Sequence, residues 1–340
     1  MKLPNGSELL DATATHNAAE WHEARKTHLG GSDIASILGV GWRSPLEVYG
    51  EKLGLLESTP GDRRMESAQF LEPIVAQWFE KATGLVTQET GALVGPGIMM
   101  STPDRLVMNR DDGDQPVAIL EIKCPGAHKI ADWAADDAGQ PQVPQYAVIQ
   151  ASWYALHWEL SEVAVQALVG GVFGDPAWLT RDTEFESWMM EAADDFWKNF
   201  VLKKIEPPAT GTPACRRAIL AMHPEHTEDI RVATEAEAMM IHDFRALREA
   251  AKGYEDRLDV VKNLVRQAIS GDLGIVCPDG KVTHRKSKDG TAIDWEGVAR
   301  EIAMRIPGAI PGVIPADAIA AYTHPKPGQR RLLLSAAKRK

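Results

Sequence analysis

Three charged side chains lie in a short stretch of the sequence where they could hold a metal ion and direct a hydrolysis. Asp104 follows Ser-Thr-Pro, and Glu121 and Lys123 stand at alternate positions of the apolar run 118–123. Since side chains alternate along a strand, Glu121 and Lys123 share one face of it. Charged side chains seldom point into an interior unless they are paired or bind a metal. Two carboxylates and an ammonium are groups that can hold a divalent cation and position a water molecule.

A β-hairpin is the element that must bring these side chains together. The sequence predicts a strand over 106–108, a polar turn over 109–115 and a returning strand over 118–123. Such a hairpin places Asp104 beside Glu121 and Lys123. A salt-bridged pair of surface strands is the alternative interpretation, and it is the usual one for a bare Glu-x-Lys.

The whole constellation is more restrictive than Glu-x-Lys alone. Ser-Thr-Pro-Asp, a hairpin-length gap and Leu-Glu-Ile-Lys-Cys-Pro resemble the PD-(D/E)xK nucleases, most closely the phage lambda exonuclease and YqaJ-type viral recombinase family. The resemblance implies that Asp104 and Glu121 bind Mg²⁺, which Mn²⁺ can replace, with the backbone carbonyl of Ile122 as a further ligand. It also implies that Lys123 orients or activates the attacking water, and that the nearby metal lowers its pKa.

A second candidate site lies near the N-terminus. Gly-Gly-Ser-Asp at 30–33 precedes an apolar-periodic run, which predicts a helix capped by Ser32 or Asp33 and ended by Gly39. The free N–H groups of such a helix start can meet a phosphate, although a plain capped helix is the simpler interpretation. The same family has Trp-His-x-x-Arg followed by Gly and Ser, so the resemblance implies that Arg25 and Ser32 bind the 5′-phosphate of the digested strand.

A proline-containing helix supplies a third acidic candidate. The segment 63–84 is predicted to be helical, with a new first turn or a kink at Pro73. Glu72 precedes this proline, where a carboxylate favoured by the helix dipole is the simple interpretation. The family's Leu-Glu-Pro implies that Glu72 lies near the metal, directly or through water. The predicted core face of the helix consists of Leu71, Ile74, Val75, Trp78 and Phe79.

The helix predicted over 144–156 carries Gln150 and Tyr154 one turn apart, on one face. Core packing around a satisfied amide explains such a pair when it stands alone. Beside the Asp, Glu and Lys motif it resembles the Gln-x-x-x-Tyr of the RecB-like branch, which implies that both residues line the cleft near metal and DNA.

Composition limits the class of protein. The chain has 340 residues, 44% hydrophobic and 25% charged, with a formal net charge of −11. That charge argues against a nucleic-acid partner, but a nuclease needs only a local positive strip. Cys124, Cys215 and Cys277 are odd in number and far apart, which argues against a disulfide framework or a structural zinc site. Three cysteines also exclude a four-cysteine iron–sulfur cluster. With no apolar run near about 18 residues and no signal peptide core, we expect a cytoplasmic protein without membrane contact.

The order of predicted elements indicates an α/β fold, a PD-(D/E)xK restriction-endonuclease-like core with a mostly helical C-terminal extension that carries a small β-hairpin. The predicted divisions are a lead-in over 1–20, a nuclease core over 21–206, a linker over 207–233 and a helical coil plus β-hairpin over 234–340. In the last of these, Gly253 is a predicted break or bend in a long helix.

The resemblance implies a Mg²⁺-dependent phage or prophage exonuclease acting in a bacterial host cell. It would digest the 5′-phosphorylated strand at duplex DNA ends, 5′ to 3′, and leave 3′ tails for a single-strand annealing protein. A ring-shaped homo-oligomer, trimer or tetramer, is also implied. The alternatives are an endonuclease of the same fold, a non-catalytic DNA-binding or recombination-assembly protein, and a coiled-coil interaction protein whose N-terminal half is a scaffold.

Overall fold

Two units make up the part of the chain that the computed structural model describes. The described residues are 5–10, 19–57, 63–109, 115–137, 139–278, 280–298, 316–326 and 330–336. The units are Met1–Thr227 and Glu228–Lys340. Helices and strands mix in both, which confirms the α/β class. Over the described ranges, none of the helices combines the length and apolar character that a bilayer crossing requires.

In the described part of the first unit, helices surround one mixed sheet and a smaller second sheet. Its helices are α1 Ala19–Thr27, α2 Gly31–Ile37, α3 Pro45–Lys52, α4 Arg63–Thr83, α5 Gln145–Trp158, α6 Thr183–Phe196 and α7 Pro213–Met222. Its strands are β1 Glu8–Leu9, β2 Val86–Gln88, β3 Leu93–Val94, β4 Met100–Ser101, β5 Arg105–Met108, β6 Pro116–Lys123, β7 Glu162–Val169, β8 Val172–Phe173 and β9 Ala177–Thr180.

The larger sheet positions the candidate site. Its strand order is β2-β5-β6-β7-β8, and β9 also pairs with β7. Strands β5 and β6 are antiparallel, as the predicted hairpin requires, whereas β6 and β7 run parallel because α5 crosses between them. Both predicted strands of the hairpin are confirmed. Most of the predicted turn, residues 110–114, lies outside the described residues.

Strand β6 presents different chemistry to the two faces of this sheet. Leu120 and Ile122 pack against Val75 and Phe79 of α4. Ile119, on the opposite face, belongs to the larger core that α5 helps to form. Glu121 and Lys123 share that second face by alternation, so the charged pair points toward α5.

Helix α4 differs in part from its predicted core face. It runs from Arg63 to Thr83 with Pro73 inside it, so no new first turn begins at the proline. Val75 and Phe79 are buried as expected, but Ile74 and Trp78 are 46% and 36% exposed. The helix meets the sheet along a narrower stripe than predicted, and Trp78 instead stacks on Phe173 beside it, with ring centroids 4.5 Å apart.

Two ranges predicted to be connecting segments contain ordered structure. Within the predicted lead-in, β1 pairs with β3, and Ser7 is buried. The range predicted as a linker contains α7, which begins at the N-cap Thr212 and buries Ala214, Cys215 and Ala218. These short apolar side chains let α7 pack closely, and α3 is the helix that it contacts.

The second unit combines a long helix with short strands. Its elements are α8 Glu235–Ile269, α9 Ala316–Ala321, β10 Gly274–Cys277, β11 Gly280–Lys286, β12 Gly290–Ile293, β13 Thr323–Lys326 and β14 Arg330–Ala336. The predicted hairpin is β10 and β11, and β14 extends it to three strands. The prediction of a break at Gly253 is wrong: α8 continues through it, because one glycine in a long helix costs only about 1 kcal/mol.

Candidate active site

The hairpin holds Asp104 against the strand that carries Glu121 and Lys123. Asp104 directly precedes β5, where Arg105 pairs with Leu120 of β6. Its Oδ2 accepts a hydrogen bond of 2.6 Å from the backbone N–H of Ile122. The Asp104 side chain is thus fixed beside β6, between the positions of Glu121 and Lys123.

A chain of polar contacts continues from β6 to α5. The ammonium of Lys123 forms an ion pair with Glu121 and donates a hydrogen bond of 3.1 Å to Oε1 of Gln150. Nε2 of Gln150 in turn donates to the hydroxyl of Tyr154, also at 3.1 Å. The structure therefore brings together four of the predicted site residues, Glu121, Lys123, Gln150 and Tyr154, and Asp104 lies beside them.

The carboxylates of this site repel one another. Burial, together with the charge of Asp104, raises the pKa of Glu121 to about 8. Burial and the same charge raise the pKa of Glu72 to about 7, although Arg105 and Lys123 partly offset them. Glu72 therefore lies in the electrostatic field of Asp104, as the third acidic group of the site.

Two further titratable neighbours, Lys123 and Tyr154, also respond to the site's negative charge. Burial alone would lower the pKa of the Lys123 ammonium, but Glu121 and Asp104 outweigh it and raise that pKa. The expectation of a lowered lysine pKa applies to the metal-bound protein and stays a prediction; without metal, the carboxylates stabilise the ammonium. Burial and the charge of Glu121 raise the pKa of the Tyr154 hydroxyl, so Tyr154 stays a neutral hydrogen-bonding group.

The donor set fits a divalent cation. Oε2 of Glu121 is buried without a hydrogen-bond partner in the described structure, which is costly for a carboxylate oxygen. Oxygen ligands of this kind suit Mg²⁺. Among the described residues, no three His, Cys, Asp or Glu side chains already lie close enough to hold a metal ion. The carboxylates of Asp104 and Glu121 are neighbours, but one oxygen of Glu121 is paired with Lys123.

A second cluster surrounds Asp33 of α2. Its fully buried carboxylate forms ion pairs with Arg25 at 2.8 Å, with Lys52 at 2.7 Å and with Arg43. Although burial would raise the pKa of Asp33, these three cations hold it well below its usual range. Arg43 also bonds Glu51, at 2.5 Å. Three positive groups thus converge on Asp33 and Glu51, and the charge of Glu47 also acts on Arg43. Arg25 and Arg43 are the partly exposed cations of the cluster.

The two predicted phosphate-binding residues lie in this cluster. Arg25 bonds Asp33, and Ser32 accepts a hydrogen bond of 3.3 Å from Arg43. The cap of α2 is Gly30, not Ser32; the N–H of Gly30 bonds Oδ2 of Asp33 at 3.0 Å. The hydroxyl of Ser32 is therefore not used for capping.

Sequence reasoning missed the parts that Asp33 and Arg43 play here. Asp33 was expected only as a helix cap, and Arg43 carried no prediction. The sequence offered one signal for this cluster: a basic residue stands on each side of a predicted helix start that contains an acidic residue. Spacing did not reveal it, since the partners lie 10 and 19 residues from Asp33.

One glycine joins the two clusters. A Cβ placed on Gly31 would lie 2.9 Å from Cα, Cγ and the carbonyl oxygen of Gln150. The start of α2 therefore touches α5 at the residue that holds Lys123. This contact puts the positive cluster beside the carboxylate site.

The site thus consists of two carboxylates and a lysine that lie on, or directly before, adjacent strands of a mixed sheet. A family model described as the YqaJ-like viral recombinase domain matches residues 20–157, which include every candidate site residue. The uncharacterized protein YqaJ of Bacillus subtilis (strain 168) is 24% identical over 322 residues, covering 88% of this chain and 96% of that protein. The resemblance to this family is thereby confirmed, and the family model matches the part of the chain that holds the candidate site.

The solved structures to which this chain is similar include exonucleases from Laribacter hongkongensis and Haemophilus somnus. The alkaline exonuclease LHK-Exo from Laribacter hongkongensis is 18% identical, with 55% of this chain and 94% of that chain covered and a TM-score of 0.44. The phage related exonuclease from Haemophilus somnus 129PT is 13% identical, with 54% and 99% covered and a TM-score of 0.38.

Proposed function

We propose that the protein is a Mg²⁺-dependent deoxyribonuclease that digests the 5′-phosphorylated strand of linear duplex DNA from its end, 5′ to 3′. The observation that carries the proposal is the buried, unpartnered Oε2 of Glu121 beside Lys123 and Asp104. Catalytic sites typically contain buried ionisable groups that shift one another's pKa and do not evidently stabilise the fold.

The ligands of the cation would be Asp104, Glu121 and the backbone carbonyl of Ile122, with Glu72 joining directly or through water. When bound, a divalent cation would neutralise charge at the scissile phosphate and make a bound water more acidic. Mn²⁺ would substitute, since it accepts the same oxygen ligands.

Lys123 is the residue that would position the nucleophile. An ammonium has three N–H donors, and Glu121 and Gln150 accept two of them. The third remains for the attacking water or a phosphate oxygen. Because its pKa is raised, Lys123 acts as a charged donor that orients the water, and Gln150 keeps its side chain directed at the site.

Arg25 and Ser32 would bind the terminal 5′-phosphate. Phosphate oxygens are good acceptors for a guanidinium and a hydroxyl, and three cations around Asp33 attract them. The contact of Gly31 with Gln150 places this pocket beside Lys123. A bound 5′-end would then present the next phosphodiester to the carboxylates, which explains a preference for ends.

The products of such a reaction are mononucleotides and a duplex with 3′ single-stranded tails. Those tails are the substrate that a single-strand annealing protein needs, which makes such a protein the expected partner. A ring of subunits around the duplex would keep the enzyme on its substrate between cleavage steps.

End-labelled linear duplexes with a 5′-phosphate or a 5′-hydroxyl test the proposal directly. In Mg²⁺ we expect loss of the 5′-phosphorylated strand, and none in EDTA or with the Lys123→Ala variant. Lys198→Ala, at an exposed lysine in the turn that follows α6 and paired with Asp194, serves as the matched control. Arg25→Ala should reduce the preference for 5′-phosphate while leaving slow digestion.

Three results would contradict parts of this proposal. Equal digestion of both termini by the wild-type protein would remove the phosphate pocket. Cleavage of covalently closed circles would favour the endonuclease. Inactivity in both Mg²⁺ and Mn²⁺ would favour a DNA-binding protein that keeps the fold.

A further inference from the structure

Helix α8 carries an apolar repeat that the described residues of its own unit leave largely uncovered. Apolar residues alternate at spacings of four and three, which places them at the a and d positions of a heptad repeat. They are Met240, Phe244, Leu247, Ala251, Tyr254, Leu258, Val261, Val265 and Ala268. A repeat sustained over about four heptads is typical of a coiled coil.

The exposure of these side chains changes along the helix. Phe244, Leu247 and Tyr254 are 65%, 70% and 69% exposed. Val265 is half-buried and Ile269 fully buried, where the end of α8 packs on β11 of the same unit. We call six of the exposed residues, Met240, Phe244, Leu247, Ala251, Tyr254 and Leu258, the α8 seam; Val261 and Ala268 of the repeat are also exposed and lie outside it. Contiguous apolar surface of this kind marks an interaction site.

We propose that the α8 seam pairs with the α8 seam of a second copy of this chain, as an antiparallel coiled coil. The occupant is inferred from the charges that flank the seam. Asp243 and Arg257 stand at g positions, Arg248 and Glu255 at e positions, and all four are exposed. Residues at e and g determine the partner and the orientation of a coiled coil.

One antiparallel register satisfies all four charges. If Leu247 faces Ala251 of the second copy, Arg248 faces Glu255 and Asp243 faces Arg257 of that copy. Two-fold symmetry repeats each pair. The two Arg248 side chains also approach each other across the two-fold axis, and each has Glu255 of the other copy as its partner of opposite charge. In the same register Phe244 meets Tyr254, and Met240 meets Leu258, so every residue of the α8 seam is covered while Val265 stays with its own unit.

Other arrangements of two α8 helices bring like charges together. In a parallel pair, Arg257 would face Lys262 at the g and e′ positions. An antiparallel shift by one heptad would place Glu255 against Glu255, and a shift in the other direction Arg248 against Arg248. The charges therefore select both the orientation and the register.

The N-terminal end of the helix also defines where the α8 seam begins. Glu237 occupies the a position before Met240, but its carboxylate closes a capping box with Thr234 and bonds Arg231. It is thus committed to the cap. The overlap of the two helices would start one turn later, at Met240.

Charge reversal in the full-length chain tests the proposal by sedimentation. Arg248→Glu or Glu255→Arg alone turns two attractive pairs into repulsive ones, so each should weaken self-association by about tenfold or more. The double variant restores opposite charges and should recover wild-type association, which a parallel pair would not, because Arg248→Glu would then face Asp243. If the first unit also assembles, each single reversal should halve the number of chains per particle.

Outward-facing residues of α8 supply matched controls. Arg245→Glu and Glu249→Arg make the same charge changes away from the α8 seam and should leave association unchanged. Self-association that is indifferent to the single reversals, or that the double variant does not recover, would overturn the pairing. So would a chain that stays monomeric and assembles only with a different protein.

Cross-linking tests the register independently. Ala250 would face Ala250 of the second copy, whereas Ala246 points away. In a Cys277→Ser background, which removes the exposed native thiol, a short bismaleimide should join Ala250→Cys chains and not Ala246→Cys chains. Equal yields for the two positions would overturn the antiparallel register.

Discussion

The amide oxygen of Gln150 accepts a hydrogen bond of 3.1 Å from the ammonium of Lys123. This bond crosses from α5 to β6, and the other end of the same amide bonds Tyr154. Gln150 therefore holds the side chain of Lys123 through an amide that is itself hydrogen-bonded to Tyr154. Its contribution is separable from that of the charged residues, because substitution leaves every charge in place.

Replacement of Gln150 by Ala should lower kcat roughly ten- to hundredfold, because Lys123 loses the acceptor that directs it. KM for DNA should change little, since the phosphate pocket keeps its residues. Tyr154→Phe should have a smaller effect of the same kind. Gln145→Ala, at the exposed start of the same helix, is the control. Steady-state kinetics that show a rise in KM alone would contradict a positioning role.

Gly31 should tolerate no side chain. A Cβ there would approach Gln150 to 2.9 Å, so Gly31→Ala should push α2 from α5 at a cost of about 1–3 kcal/mol in unfolding free energy. Because α2 carries Ser32, discrimination between 5′-phosphate and 5′-hydroxyl ends should fall as well. Gly97→Ala, where no atom lies within 4 Å of the added carbon, should alter neither quantity. Denaturant titration and end-labelled substrates measure the two effects.

Asp33 should be essential to the stability of the first unit. The Asp33→Asn variant leaves Arg25, Arg43 and Lys52 without their common anion, and the Lys52 side chain is almost wholly buried. Removing one partner of a buried ion pair costs about 3–5 kcal/mol. Urea unfolding should show a loss of this size. Asp175→Asn, at an exposed aspartate, should leave the unfolding free energy unchanged.

The sequence predicts local relationships in this protein better than distant ones. Glu121 and Lys123 share a face because strand alternation alone requires it, and a short hairpin then places Asp104 beside them. The Asp33 cluster depends on how α2 packs against α3, which no periodicity encodes. The contact of Ser7 with His157 joins residues 150 positions apart, and nothing in either segment indicates it.

The burial pattern of α4 and α8 shows a different limit. Both helices have clear apolar stripes, but a stripe does not say which partner covers it. In α4 the sheet covers only part of the predicted face, and Trp78 packs elsewhere. In α8 most of the stripe is exposed among the described residues, and the sequence of the helix does not say what covers it.

Added Mg²⁺ should stabilise the folded protein without any DNA. Repulsion among the carboxylates of Asp104, Glu121 and Glu72 raises the free energy of the folded protein. A cation that binds only the folded state offsets that repulsion. The melting temperature should therefore rise by several degrees on addition of Mg²⁺ and fall again with EDTA. Asp104→Asn should lose most of this rise, whereas Asp175→Asn should keep it. An equal rise in both variants would place the cation elsewhere.

The stability of the first unit should depend on His157. Burial, and to a lesser extent the charge of His28, lowers the pKa of His157 to about 4. The ring nitrogens lie 3.2 Å from the hydroxyl of Ser7 and 3.0 Å from that of Ser101. The folded protein therefore keeps the imidazole neutral, while the unfolded chain takes up a proton below its ordinary pKa of 6.5.

The sign of the effect follows from this difference in proton binding. Above pH 6.5, His157 adds no pH dependence to the unfolding free energy. As the pH falls from 6.5 toward 4, protonation of His157 in the unfolded chain should lower the unfolding free energy by about 3 kcal/mol. His157→Gln should remove this part of the slope, so urea titrations at a series of pH values should converge for variant and wild type at low pH. His242→Gln, at an exposed position of α8, should follow the wild type throughout. Parallel slopes for wild type and His157→Gln would mean that the imidazole is protonated in the folded state.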